Sequence, residues 1–149
     1  MASISVVIAT YGASEWETMA EERAMPSAVA QDTCEVRISD SPDGTRASSL
    51  NIAAAGTTGD WLIFLDADDE LAPGYIGAMR RALEQHPDGK VLFTPAVQQI
   101  RKGRPGNPFF FPECSLETGN WLVIGTMISR ELFNEIGGFD EHPHGLEDF

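Results

Sequence analysis

Five apolar residues, Trp61-Leu62-Ile63-Phe64-Leu65, run straight into four acids among five positions, Asp66-Ala67-Asp68-Asp69-Glu70. The apolar run reads as a strand buried on both faces, as central strands of parallel sheets are. Carboxylates gathered at the end of such a strand sit beside the core, where their mutual repulsion makes ionisation costly. A divalent cation removes that cost, because hard cations take oxygen ligands and complete their shell with water and substrate phosphates. The chemistry expected of this segment is therefore a metal–phosphate site. Thr10 and Tyr11 follow another apolar run, and Asp40 follows a third. Open α/β sheets bind ligands at just such strand ends.

Strands are predicted over residues 4–9, 34–39, 60–65, 91–97 and 121–128 from their β-branched and apolar content. Ser14 with Glu17 three positions on has the spacing of a capping box opening a helix. Pro26 is expected to kink or split that helix, leaving residues 27–31 as a second piece. Helices are also predicted over 47–55, 73–85 and 130–136. Pro73 would lie in the first turn of the second of these, with Ile76, Met79 and Leu83 inward. Residues 101–120 are rich in Gly and Pro and read as an irregular excursion. Its Phe109-Phe110-Phe111 is either a lid that orders on ligand binding or a set of aromatics tucked into the core. The β-α-β-α-β order predicts a three-layer α/β domain on a mostly parallel sheet.

The chain has 149 residues, enough for one domain with a real core, and its hydrophobic fraction of 42% argues against disorder. A net charge of −13 argues against duplex nucleic acid and against an anionic membrane surface as partners. It leaves room for a phosphate-bearing ligand if a metal or a local cation offsets the repulsion. Cys34 and Cys114 stand far apart without Cys-x-x-Cys spacing and read as reduced thiols, with a single bridge as the alternative. With no leader and no window of membrane-spanning length, a cytoplasmic location is expected. No Gly-rich dinucleotide fingerprint and no P-loop are present. An EF-hand loop starting at Asp66 would need Gly and Glu where Leu71 and Gly77 stand. His142 and His144 lack the spacing of a zinc site.

Four segments in order resemble glycosyltransferase family 2. They are the strand ending Thr10-Tyr11-Gly12, Asp40 after the second strand, and Leu65-Asp66-Ala67-Asp68-Asp69 followed by Pro73. The fourth is Gly137-Gly138-Phe139-Asp140-Glu141 with Gly145-Leu146-Glu147-Asp148. The resemblance implies a GT-A, Rossmann-like α/β/α sandwich over residues 1–149. Residues 1–100 would be its nucleotide-binding half and 101–149 the start of an acceptor half that is cut short. It also implies inverting transfer of a sugar from a UDP- or GDP-linked donor to an acceptor hydroxyl, with Mn2+ or Mg2+ as cofactor.

Carried over by position, Asp68 is the direct metal ligand. Asp66 contacts the ribose or a metal-bound water. Asp148 is the general base, and Glu147 an acceptor contact. Thr10, Tyr11, Asp40 and Asn51 belong to the nucleotide side. Several of these residues have bland alternatives. Tyr11 either stacks on the base or is a strand-end aromatic, Asp40 binds a ring N–H or caps a turn, and Asp69 caps the turn before the next helix. Gly125-Thr126-Met127 and Trp121 line a sugar cleft or, for the indole, pack inward. The chain departs from the family where Arg-Asn is expected and Leu50-Asn51 stands, which leaves Arg46 to supply the positive charge. Gly12 likewise replaces an asparagine. The rival to an active transferase is a nucleotide-sugar-binding module that has lost transfer.

Overall fold

Alternating side chains of one strand fill two separate cores, and this sets the layering. In β1 (Ile4–Tyr11), Ile4, Val6 and Ile8 pack into one cluster while Val7 packs into the other. The computed structural model describes residues 2–32, 34–92, 96–101, 104–110 and 125–141. β2 (Glu35–Ser41) and β3 (Trp61–Leu65) pair in parallel with the two edges of β1. β4 (Val91–Leu92) lies at the far edge, while β5 (Ala96–Arg101) and β6 (Arg104–Phe110) form a separate antiparallel hairpin. β7 (Met127–Ser129) inserts antiparallel between β3 and β4, giving the order β2-β1-β3-β7-β4.

Helices cover both faces. α1 (Glu15–Met19), a π turn (Ala20–Ala24) and α2 (Met25–Val29) follow one another directly. Their Ala20, Ala24 and Ala28 are fully buried, and small side chains let this backbone lie close to the sheet. α3 (Arg46–Ala55) lies on the opposite face, where Leu50, Ala53 and Ala54 meet Val7, Leu62 and Phe64. α4 (Tyr75–Gln85) joins the first face through Ile76 and Met79, with Leu83 partly buried beside them. α5 (Arg130–Glu135) sends Phe133 to the α3 side. The expected three-layer sandwich on a mostly parallel sheet is present. Among the described residues, no helix is long and apolar enough to cross a membrane.

Local expectations failed where a residue's type suggested a role its backbone does not permit. Ser14 makes no side-chain cap, because its own backbone is already helical (φ −63°, ψ −17°) whereas a capping residue is extended. The capping box belongs instead to Thr45, extended at φ −99° and ψ 168°, which exchanges hydrogen bonds with Ser48. Pro26 lies in the first turn of a second helical piece that spans Met25–Val29 rather than 27–31. It has no N–H, and its ring crowds the carbonyl four residues back. The preceding turn widens to π geometry, where Met25 N–H donates to Ala20 O five residues earlier.

Pro73 lies outside α4, because Gly74 takes a left-handed φ of +79° at the N-cap. The strand expected over 91–97 is two residues long, and Ala96 already belongs to the hairpin. Residues 104–110 are strand rather than irregular, for proline is tolerated in a strand that pairs on one side only among the described residues. Residues 111–120 of that excursion, Trp121 and Cys114 lie outside the described residues.

Gly59 marks the closest approach of loop to strand. A Cβ there would stand 2.5 Å from Ser5 Oγ, 2.7 Å from Ser5 N and 2.9 Å from the Ile4 carbonyl carbon. Backbone atoms of a central strand cannot retreat, so Gly59→Ala should cost about 1–3 kcal/mol. Urea unfolding measures it, and an unchanged midpoint would contradict this packing.

Candidate active site

Parallel registry delivers the ends of three strands to one edge of the sheet. Thr10 stands opposite Asp40, and Ile8 opposite Leu65, which puts Asp66 one residue beyond the last β1–β3 pair. Thr10 is only 1% exposed, and its Oγ1 donates to Asp40 Oδ1 at 2.7 Å. The threonine therefore acts on any ligand through Asp40, whose carboxylate it orients. Tyr11 closes the strand with its ring partly exposed at 38%. Gly12 follows at φ +71°, a left-handed conformation that glycine and asparagine tolerate best, which explains why one replaces the other here.

Asp66, Asp68 and Asp69 each bring a carboxylate oxygen within 4.8 Å of the others. A cation with oxygen ligands at about 2.0–2.6 Å spans such a spread, so the donor set fits a hard divalent ion. Asp66 is also held by Arg46, whose guanidinium donates to both of its oxygens at 3.0 and 3.3 Å. Asp69 is exposed at its surface, yet partial desolvation of its carboxylate, and then the charges of Asp68 and Asp66, push its pKa above the ordinary value, with Arg23 offsetting part of the rise. Asp69 N–H closes a turn onto Asp66 O at 3.1 Å, and its carboxylate also joins the acidic group. The sequence did signal its part: a third acid stands within four positions of Asp66.

The loop beyond the acids is pinned from the opposite helix. Ser27 Oγ accepts from Leu71 N–H at 3.0 Å. The largely buried Gln31 donates to Ala72 O at 3.1 Å and accepts from Ile76 N–H at 3.3 Å. An exposed Arg23–Glu70 ion pair adds a link of the same sense at 3.3 Å. Gly125 joins this edge with φ +92°, donating to Phe64 O at 3.0 Å and accepting from Tyr75 Oη at 2.5 Å. Burial pushes the Tyr75 phenol well above its ordinary pKa, keeping it a neutral donor. Met127 is wholly buried in the core and lines no cleft.

The structure thus gathers Thr10, Tyr11, Asp40, Asp66 and Asp68, and adds Arg46 and Asp69. Arg46 lies one helical turn before Leu50, the place where an arginine is expected and a 2%-exposed leucine stands. Asn51 is committed elsewhere: Nδ2 donates to Phe139 O at 3.0 Å, and Oδ1 accepts from Phe139 N–H at 2.9 Å. Glu147 and Asp148 lie outside the described residues, as do His142 and His144.

The family model described as Glycosyl transferase family 2 matches residues 20–142. A Haemophilus influenzae protein described as an uncharacterized glycosyltransferase is 31% identical over 111 residues, covering 69% of this chain and 38% of that protein. The O-antigen biosynthesis protein RfbC of Myxococcus xanthus is 27% identical over 110 residues, 72% of this chain and 9% of its own. Among solved structures, S. aureus TarS 1-349 superposes with a TM-score of 0.72 at 18% identity, over 98% of this chain and 52% of that one. Its complex with UDP-GlcNAc gives 0.72 at 17% identity, over 98% and 51%. The chain therefore spans well under half of these sequence relatives and about half of the structural neighbour.

Asp69 supplies a test of the acidic cluster. Its raised pKa means that the folded chain binds more protons than the unfolded chain between the ordinary and the raised value. Apo stability therefore falls as pH climbs through that window. Asp69→Asn should remove this pH dependence, leave the melting temperature at neutral pH equal or higher, and shrink the stabilisation by Mn2+. Thermal melts with and without MnCl2 measure all three. A lower neutral-pH melting temperature with an undiminished Mn2+ response would contradict the arrangement.

Proposed function

The chain belongs to glycosyl transferase family 2 and has its GT-A fold, and from that premise we propose that it moves a sugar from a nucleoside diphosphate donor to an acceptor hydroxyl. The observation that carries the reading is the convergence of Asp66, Asp68 and Asp69 at the end of β3, beside the Thr10–Asp40 pair. A UDP-linked donor is favoured over a GDP-linked one, since TarS, which shares the fold, has been solved with UDP-GlcNAc and with UDP.

In this reading Asp68 holds the cation, with Asp66 and Asp69 beside it. A bound Mn2+ or Mg2+ supplies charge neutralisation for the departing diphosphate, where stabilisation helps the rate most. Asp40 accepts from a base N–H, oriented by Thr10, and Tyr11 offers its exposed edge to the base. Arg46 restrains Asp66 and lowers the net negative charge that a diphosphate must approach. Asp148 takes the proton from the acceptor hydroxyl, whose oxygen then attacks the anomeric carbon. The bond from that carbon to the diphosphate oxygen breaks, and its electron pair leaves with the phosphate. Base and leaving group lie on opposite faces of the sugar, so the configuration inverts. Glu147 contacts the acceptor. Cys34 is half-buried and forms no disulfide among the described residues, and the cytoplasm is the compartment proposed here.

Two measurements test the reading. Nucleotide sugars screened with Mn2+ should stabilise the protein, by about 2.7 kcal/mol at a hundred times the dissociation constant. Absence of any shift across UDP- and GDP-linked donors would sink the proposal. Asp148→Asn should keep UDP binding within about twofold while lowering donor turnover about 10²–10⁴-fold. Wild-type binding with no turnover on any donor would favour a binding module instead.

A further inference from the structure

Asn51 makes both halves of a peptide-like hydrogen-bond pair with a residue 88 positions away. Its Nδ2 donates to Phe139 O and its Oδ1 accepts from Phe139 N–H, at 3.0 and 2.9 Å. Nδ2 also donates to Glu141 Oε1 at 3.2 Å. A carboxamide carries a donor and an acceptor on separate atoms, so it can bond the N–H and the C=O of one residue at the same time. Gly138 allows the approach, because a Cβ there would stand 2.6 Å from Asn51 Oδ1 on a backbone held at φ +81°. The Phe139 ring then sits edge-on to Phe64 of β3 at 4.8 Å and to Phe133 at 5.8 Å. Phe64 lies two residues before Asp66, and Glu141 seven positions before Asp148.

We propose that Asn51 is a positioning residue and not a nucleotide ligand: it clamps the Gly138–Glu141 segment, from which the chain runs on to Glu147 and Asp148, against α3 and the strand that ends in the acidic cluster. This rests on the reading of Asp148 as base. α3 then carries two devices on successive turns. Arg46 restrains the donor-side acid, and Asn51 fixes the entry to the acceptor side.

Asn51→Asp keeps the acceptor for Phe139 N–H and loses the donor, while Gly138→Ala pushes the same amide away from the other side. Both variants and the wild type are compared by UDP calorimetry with Mn2+, by amide exchange at Phe139, and by hydrolysis of UDP-GlcNAc. UDP affinity should stay within about twofold, Phe139 exchange should quicken about tenfold or more, and kcat should fall about tenfold with KM unchanged. A tenfold loss of UDP affinity in Asn51→Asp but not in Gly138→Ala would make Asn51 a nucleotide ligand and overturn the proposal. So would unchanged Phe139 exchange in both variants. A wild type that binds UDP without hydrolysing UDP-GlcNAc counts against the proposed reaction, and affinity and exchange still decide the clamp. A wild type that binds neither UDP nor GDP removes the proposed function and the positioning role with it.

Discussion

Strand β3 is paired on both edges and covered on both faces, so its backbone cannot yield when carboxylates crowd its end. That rigidity gives the acidic cluster its character. On a mobile loop three acids would spread until their repulsion faded into solvent. Here Asp69 N–H bonds back to Asp66 O at 3.1 Å, and Ser27 and Gln31 hold the chain that follows. The charges stay together, and desolvation first, then the neighbouring charges of Asp68 and Asp66, raises the Asp69 pKa. A site that is costly when empty gains most from a cation, because binding removes repulsion in addition to forming new contacts.

Neutralisation is shared before any ligand arrives. Arg46, 18% exposed at its side chain, faces Asp66 from the first turn of α3, whose start is fixed by the Thr45–Ser48 capping box. A helix fixed at its beginning by a cap and along its length by Leu50, Ala53 and Ala54 presents its polar positions with little freedom. Asn51 follows Arg46 by more than one turn and faces Phe139 instead. Residues 127–141 thereby pack into the same sheet and the same core as β1 and β3, although they come from the far end of the chain.

Much of this was legible beforehand, for identifiable reasons. Buried strands such as β1 and β3 announce themselves because apolar residues predominate between two helix layers. The helix over residues 75–85 is readable because Ile76, Met79 and Leu83 repeat at helical spacing. The turns at 41–44 and 86–89 are readable because their chemistry is local, and each closes with a Gly N–H bonded to the carbonyl three residues back. Misreadings arose where one residue's habit was taken for its conformation. Ser14 had the spacing of a cap without the backbone of one. Pro26 could be absorbed by a π turn. The prolines of β6 could sit in a two-stranded hairpin that no periodicity advertises.

The sequence by itself determined the layers, the strand that bears the acids, and the residue types at each strand end, because burial and charge are written in side-chain chemistry and spacing. It could not determine partners. Thr10 and Asp40, Arg46 and Asp66, and Asn51 and Phe139 are 30, 20 and 88 positions apart. A hydrogen bond depends on where two atoms lie to within a few tenths of an ångström, and that is fixed only when strands have taken their register and helices their faces. The tertiary structure alone decided that Asn51 grips a backbone, that Arg46 reaches Asp66, and that Asp69 joins the acids it had seemed merely to follow.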